Sequence, residues 1–211
     1  MFEIEYKGAN SVIISTKKST LVVDPKLSLV GLRDVSTKDA VELATEARFA
    51  LGAETARLNI EGPGEYGVAE FDIKGIAAQR HLDSESEPLI STIYRVEINE
   101  TRIAIIGNIY EKLSETQLEE IGLIDILIIP VGGNGYTLDA TGAATITRSI
   151  DPKIVIPVHY ADAGIKYEVV QDALETFTKE LGAPVEELPK FKLKQAAPLP
   201  AVLTTIVLAR A

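Results

Sequence analysis

Four short apolar runs, each stopping abruptly at a polar residue or glycine loop, constrain this chain more than any other feature. Leu21-Val-Val23 stops at Asp24-Pro25, Ile103-Ala-Ile-Ile106 at Gly107-Asn108, Ile124-Asp-Ile-Leu-Ile-Ile129-Pro130 at the loop Gly132-Gly133-Asn134-Gly135, and Ile154-Val-Ile-Pro-Val158 at His159. Runs of this length match strands buried inside a sheet and fall well short of the ~20 residues that span a bilayer. No membrane partner is therefore expected. Loops beyond the ends of buried strands are where ligands usually bind, because rigid strands hold polar side chains in a crevice. Asp24, Asn108, Gly133, Asn134 and His159 are accordingly the candidate ligand-binding residues.

The rest of the pattern places these runs in a fold. The first quarter reads as strands joined by tight turns: Phe2 to Tyr6, Ser11 to Ser15, a polar turn at 16–19, and Thr20 to Val23, which the proline ends. Ser36 or Thr37 is placed to cap a helix running to about Leu51, with Val41, Ala44, Ala47, Arg48 and Leu51 at helical spacing and Gly52 as its stop. Strands follow at about Ala56 to Ile60 and Val68 to Ile76, and the polar segment His81 to Pro88 reads as an exposed loop. From Ser91 the plan of strand, polar turn and strand restarts, which suggests two repeated halves, about 1–90 and 91–211, within one domain. Ser114 and Gln117 have the spacing of a capping box. Helices are expected at about Ala140 to Ile150 and Tyr167 to Leu181, with strands at Lys153 to Val158, Val185 to Leu188 and Leu203 to Ala209. Pro184 to Pro200 otherwise reads as a surface excursion. The class is α/β: two mixed β-sheets packed together with outer helices.

Composition narrows the chemistry. The 211 residues include no cysteine, which removes disulfides, cysteine nucleophiles and cysteine-ligated metals, and fits a reducing, cytoplasmic setting. The N-terminus carries no basic region followed by an apolar run, so no signal peptide is read. A formal charge of -10 without a basic stripe argues against nucleic acid as a partner. Only two histidines exist, His81 and His159, and they are the sole imidazoles for a metal. Each has a structural alternative: His159 as a satisfied strand-end histidine donating to a carbonyl, His81 as a solvated loop residue. Asp24 can equally be a turn-former bound by following amides, and Asp139 a helix cap. The glycine loop lacks the Gly-Lys-Ser/Thr ending of a phosphate-binding P-loop, although its amides could hold a small anion.

The ordered segments Val22-Val-Asp24-Pro25, Glu61-Gly-Pro-Gly-Glu65-Tyr66, Ile76 to His81, Ile105-Ile-Gly107-Asn108, Leu127 to Gly133 and Val155-Ile-Pro-Val-His159-Tyr160 resemble the metallo-β-lactamase superfamily, in the metal-dependent hydrolase branch related to L-ascorbate-6-phosphate lactonase. The resemblance extends from about residue 4 to 185 and implies a four-layer αββα sandwich with its site at the sheet edges. It also implies self-association into a homo-oligomer. Hydrolytic members carry a His-x-His-x-Asp-His cluster after the strand that follows the first Asp, then a later His, a bridging Asp and a final His. In this sequence residues 25–66 hold no histidine, the early Gly-His reads Gly8-Ala9-Asn10, and the bridging position reads Asn108. His159 matches the final His and His81 the later one, while Asp24 matches a residue that supports the metal loop. The strand that precedes the cluster is expected to be replaced by loop and helix between Gly31 and Leu51.

A dinuclear centre needs several imidazoles and a shared carboxylate to offset two dications, and a neutral amide at Asn108 cannot supply that charge. The expectation is a superfamily fold without its dinuclear centre, with no resident cofactor and a non-catalytic binding or structural role toward a small anionic molecule. The alternative is a mononuclear, metal-dependent hydrolase of a small phosphorylated, ester or lactone substrate. It would hold one weakly bound zinc or manganese through His81, His159 and a carboxylate such as Asp83 or Glu85.

Overall fold

The computed structural model describes residues 1–82, 90–194 and 197–211. Two mixed β-sheets face each other across an apolar core. The first sheet begins with β1 (Phe2–Gly8), β2 (Ser11–Ser15) and β3 (Thr20–Val23), a meander of antiparallel strands. It continues with two short parallel strands, β4 (Val41–Leu43) and β5 (Leu58–Ile60). The chain then crosses to the second sheet. There β6 (Gly64–Val68), β7 (Phe71–Ala78), β8 (Ser91–Ile98) and β9 (Thr101–Ile105) run antiparallel, and β9 leads into a parallel set with β10 (Ile126–Pro130) and β11 (Ile154–Val158). Near the C-terminus β12 (Val185–Leu188) and β14 (Thr204–Leu208) complete the second sheet, while β13 (Phe191–Leu193) returns to pair with β1. The crossing falls between Ile60 and Gly64, so the strand at Ser91 where the sequence pattern restarts is an interior strand of the second sheet.

The alternation legible in β1 gives its burial. Phe2, Ile4 and Tyr6 face the core, with glutamates and Lys7 between them outside. β10 and β11 are buried along their whole length because the second sheet is covered on both faces. One face meets the first sheet. The other meets α1 (Glu115–Ile121), α2 (Ala140–Ile150) and α3 (Leu174–Leu181) through Ile121, Ala143, Ile146 and Phe177. Ser114 and Gln117 form the expected capping box, and the Asp139 carboxylate accepts from the Gly142 amide as an N-cap, each contributing about 1 kcal/mol to its helix.

Three expectations are corrected. The helix expected from Ser36 or Thr37 to Leu51 is instead β4 followed by a single 3-10 turn, Ala47–Phe49. Val41, Glu42 and Leu43 are all buried because parallel strands flank them on both sides, and Ala40 closes a turn onto the Thr37 carbonyl before the strand starts. Helical spacing in this stretch was coincidence, and tertiary pairing overrode it. A strand is therefore present where the resemblance led to the expectation of loop and helix. The helix expected from Tyr167 begins only at Leu174, because backbone groups upstream bind other parts of the fold: Lys166 N–H to the Val30 carbonyl and Asp172 N–H to the Gly132 carbonyl. Within the excursion 184–200, Phe191–Leu193 adds an edge strand to β1, with Phe191 opposite Ile4.

Candidate functional site

Strand direction gathers the polar residues. β3 and β4 run parallel in one sheet and β9, β10 and β11 run parallel in the other, so their C-terminal ends carry Asp24, Ala44-Thr45-Glu46, Asn108, the glycine loop and His159 along the sheet edges. The β1–β2 turn joins them. His159 N–H donates to the Ala9 carbonyl at 2.9 Å, and the neighbouring Asn10 side chain reaches across to two residues that follow strands of the second sheet. Asn10 Nδ2 donates to Asn108 Oδ1 at 3.0 Å, and Asn10 Oδ1 stands 3.0 Å from His159 Nδ1. All three side chains are buried. With the Asn10 amide nitrogen engaged by Asn108, its oxygen receives the His159 Nδ1 proton, which assigns the tautomer and leaves a lone pair on Nε2. Nε2 and Asn108 Nδ2 have no partner among the described residues. Burial, aided by the Arg48 charge, pushes His159 down to about 3, so the ring is neutral.

Asp24 has a different task. Its Oδ1 accepts from Thr45 N–H and its Oδ2 from the Thr45 hydroxyl, both at 2.7 Å. Its bond partner is thus 21 residues away and belongs to the next strand's end, which corrects the reading of a local turn-former. Burial raises the Asp24 carboxyl to about 7 against the lowering effect of these two bonds. Thr45 also serves the other sheet. Its carbonyl accepts from Thr92 N–H at 2.8 Å and the Ser91 hydroxyl at 3.2 Å, while the Tyr94 hydroxyl donates to the Ala44 carbonyl at 2.9 Å. This segment is a junction between the sheets.

Immediately after it come Glu46, which the sequence reading passed over, and Arg48, which it placed only on one face of the expected helix. Glu46 is buried and its Oε2 lies 3.0 Å from Arg48 Nε and 3.8 Å from Arg80 Nη1. The Arg48 guanidinium also donates to the Tyr136 hydroxyl, sits over the Phe49 and Tyr136 rings at 4.6 and 5.2 Å, and reaches Glu168 at 3.7 Å. Tyr136 and Tyr167 flank His159, with ring centroids 5.5 and 4.8 Å away. Ala9, Asn10, Asp24, Lys26, Phe49, Tyr136, His159 and Glu168 help to line a small cavity of about 20 Å³, room for about one water molecule.

The remaining sequence candidates sit apart from that cavity. Gly133 closes a turn, its N–H bound by the Leu138 carbonyl, and this turn seats Tyr136. The Asn134 side chain is exposed and donates to Asp172 at 3.1 Å and to the Gly132 carbonyl. With the Asp172 carboxylate against it, the glycine loop presents no open anion cradle. His81 is half-buried, donates its N–H to the Asn108 carbonyl at 2.9 Å, and has an unpartnered Nδ1 among the described residues. Asp83 and Glu85 lie outside the described residues.

A family-type metal centre does not fit these donors. Among the described residues, no three His, Asp or Glu side chains converge where they could hold an ion. Asp24 has both oxygens on Thr45, and Glu46 faces two guanidinium groups that a metal would have to displace. Among the described residues, His159 Nε2 is a suitable donor standing alone.

The model of the beta-lactamase superfamily domain matches residues 3–159, about three-quarters of the chain. The chain belongs to the beta-lactamase superfamily. A Thermotoga maritima protein assigned to the Zn-dependent hydrolases of the metallo-β-lactamase superfamily superposes with a TM-score of 0.78 over 99% of both chains at 22% identity. The metallo hydrolase Igni18 of Ignicoccus hospitalis gives 0.69 over 92% of this chain and 99% of its own, at 16% identity. At those identities the likeness concerns the fold. A Pyrococcus furiosus UPF0173 protein is 37% identical over 59 residues, and a UPF0173 metal-dependent hydrolase of Natranaerobius thermophilus 46% over 43 residues. Those stretches span 28% and 20% of this chain and only 27% and 19% of the relatives. The fold is thus the metallo-β-lactamase sandwich, with few helices and homologues named metal-dependent hydrolases. Among the described residues no helix is long and apolar enough to cross a membrane.

Proposed function

We propose that this superfamily member uses the cleft at its sheet edges to bind a small anionic molecule without the dinuclear metal chemistry of hydrolytic relatives. The observation that carries the reading is the ion pair between Glu46 and Arg48 in the segment directly after β4. By the resemblance, that segment is where a hydrolase places its His-x-His-x-Asp-His cluster. A carboxylate paired with a guanidinium two residues on supplies its own charge balance, whereas a pair of dications requires an excess of anionic and imidazole donors. The cleft's fixed cation is then Arg48. Elemental analysis of untagged protein expressed with added zinc and manganese tests this: metal far below one ion per chain after dialysis is expected, and near-stoichiometric metal would defeat it.

A second reading is favoured by the lone pair on buried His159 Nε2 together with the names of the relatives. It is a hydrolase of a small phosphorylated, ester or lactone substrate with one divalent ion, zinc or manganese, at His159. Metal-stimulated turnover that collapses in His159→Ala would support it; turnover unchanged in that variant, or absent with every metal tried, would remove it.

A further inference from the structure

We infer that Glu168 is an internal carboxylate seated where a small oxyanion, a carboxylate or phosphate, docks on Arg48, and that ligand binding displaces it. This rests on the reading that Arg48 is the cleft's cation, which metal content tests by itself.

The contacts of Arg48 divide into two kinds. Buried Glu46 at 3.0 Å, the Tyr136 hydroxyl and the two ring faces hold the guanidinium in position from below and from the sides. Glu168 is different. It approaches Nη1 only to 3.7 Å, its side chain is 56% exposed, and it sits in the irregular stretch between β11 and α3. That stretch is tied down elsewhere: Arg210 makes two bonds to Asp162 at 2.7 and 3.2 Å, Lys166 N–H binds the Val30 carbonyl, and Asp172 N–H binds the Gly132 carbonyl. Between these anchors the Glu168 to Arg48 contact is a weak, solvent-screened pair of the kind worth little.

Glu168 and His159 both line the small cavity, and His159 Nε2, on a residue only 3% exposed, has no partner among the described residues. A buried imidazole acceptor left unpaired points to a missing hydrogen-bond partner, such as a protonated oxyanion or a water carried with it. Electrostatics favour the exchange. Arg48 is already paired with buried Glu46, and Lys26 and Asp24 both line the cavity, so moving the Glu168 charge aside removes a second carboxylate from the guanidinium that the oxyanion would meet. A guanidinium offers parallel N–H groups that match two oxygens of a carboxylate or phosphate.

Calorimetric titration with inorganic phosphate, and separately with acetate, against a chloride control of equal ionic strength tests the inference. Glu168→Gln keeps shape and removes charge, so it should bind roughly two- to fivefold more tightly than wild type, the range set by releasing one exposed ion pair. Adding Arg48→Gln to that variant should abolish binding. The inference is overturned if Glu168→Gln binds no tighter than wild type, if neither anion binds either protein, or if the double variant retains the affinity. Should the double variant fail to fold, Arg48→Lys combined with Glu168→Gln keeps the charge and loses the fork: weaker binding than Glu168→Gln alone is expected, and equal binding contradicts the proposal.

Discussion

Both carboxylate oxygens of Asp24 are committed to one residue, Thr45, whose amide and hydroxyl each donate at 2.7 Å. The pair joins the end of β3 to the end of β4, and the Thr45 carbonyl carries the link onward to Ser91 and Thr92 of the second sheet. The segment that positions Glu46 and Arg48 is thus fixed before either charge is considered. Thr45→Val keeps the volume and removes one donor from a buried carboxylate. A loss of about 1–3 kcal/mol in denaturant unfolding is expected; an unchanged midpoint would show that the hydroxyl contributes nothing.

Gly107 guards the same junction from the other sheet. A Cβ there would stand 2.6 Å from the Thr45 side chain, closer than atoms pack. Gly107→Ala should destabilise by about 1–3 kcal/mol through overpacking. Combined with Thr45→Gly, which removes the Cβ and hydroxyl oxygen that the new methyl group would meet at 2.6 Å, it should cost less than the sum of the two single changes. Additive losses would mean that the alanine is accommodated elsewhere.

The pH behaviour follows from two buried groups with opposite signs. His159, lowered from 6.5 to about 3, binds its proton more readily in the unfolded chain, so its contribution is fully present above about 6.5 and is lost as pH falls toward 3. Asp24, raised from 3.8 to about 7, gives a contribution fully present below about 4 and lost as pH rises through 7. Asp24→Asn should therefore improve relative to wild type as pH is raised from 5 to 8. Urea unfolding at both values measures this, and a stability difference independent of pH would show that the Asp24 carboxyl is ordinary.

The Glu46 to Arg48 pair is half-screened, since Glu46 is buried while Arg48 is about one-third exposed. Glu46→Gln leaves two guanidinium groups facing a neutral amide, and a loss of about 2–4 kcal/mol is expected, at the lower side of a broken buried pair because of that exposure. Glu46→Gln with Arg48→Gln should lose less than the two single variants added together. A double-mutant cycle with no coupling would remove the ion pair from the account.

Much of this fold was legible because its signals are local. Apolar runs ending at Asp24, Asn108 and His159 placed the buried strands and the sheet edge, and Ser114 and Asp139 announced helix starts that their own side chains then cap. What escaped was set by distant partners. β4 is a three-residue strand that exists because β3 and β5 flank it, and nothing in Val41-Glu-Leu43 alone distinguishes it from a helical turn. Asn10, Tyr136 and Glu168 enter the cleft through loops whose course depends on bonds such as Lys166 to Val30 and Gly133 to Leu138. Glu46-x-Arg48 did carry a signal, since two opposite charges follow a buried strand at the spacing of the expected histidines. Asn134 was misleading for the opposite reason: an asparagine in a glycine loop reads as a ligand residue until its partner, Asp172, is seen beside it.

The most direct measurement is the metal content of the purified chain after growth with zinc and manganese and exhaustive dialysis, read alongside the same protein carrying His159→Ala. If Arg48 is the resident cation, both proteins hold only traces and do not differ. One or two tightly held ions per chain in the wild type, lost in His159→Ala, would contradict the account and return the cleft to metal-dependent hydrolysis.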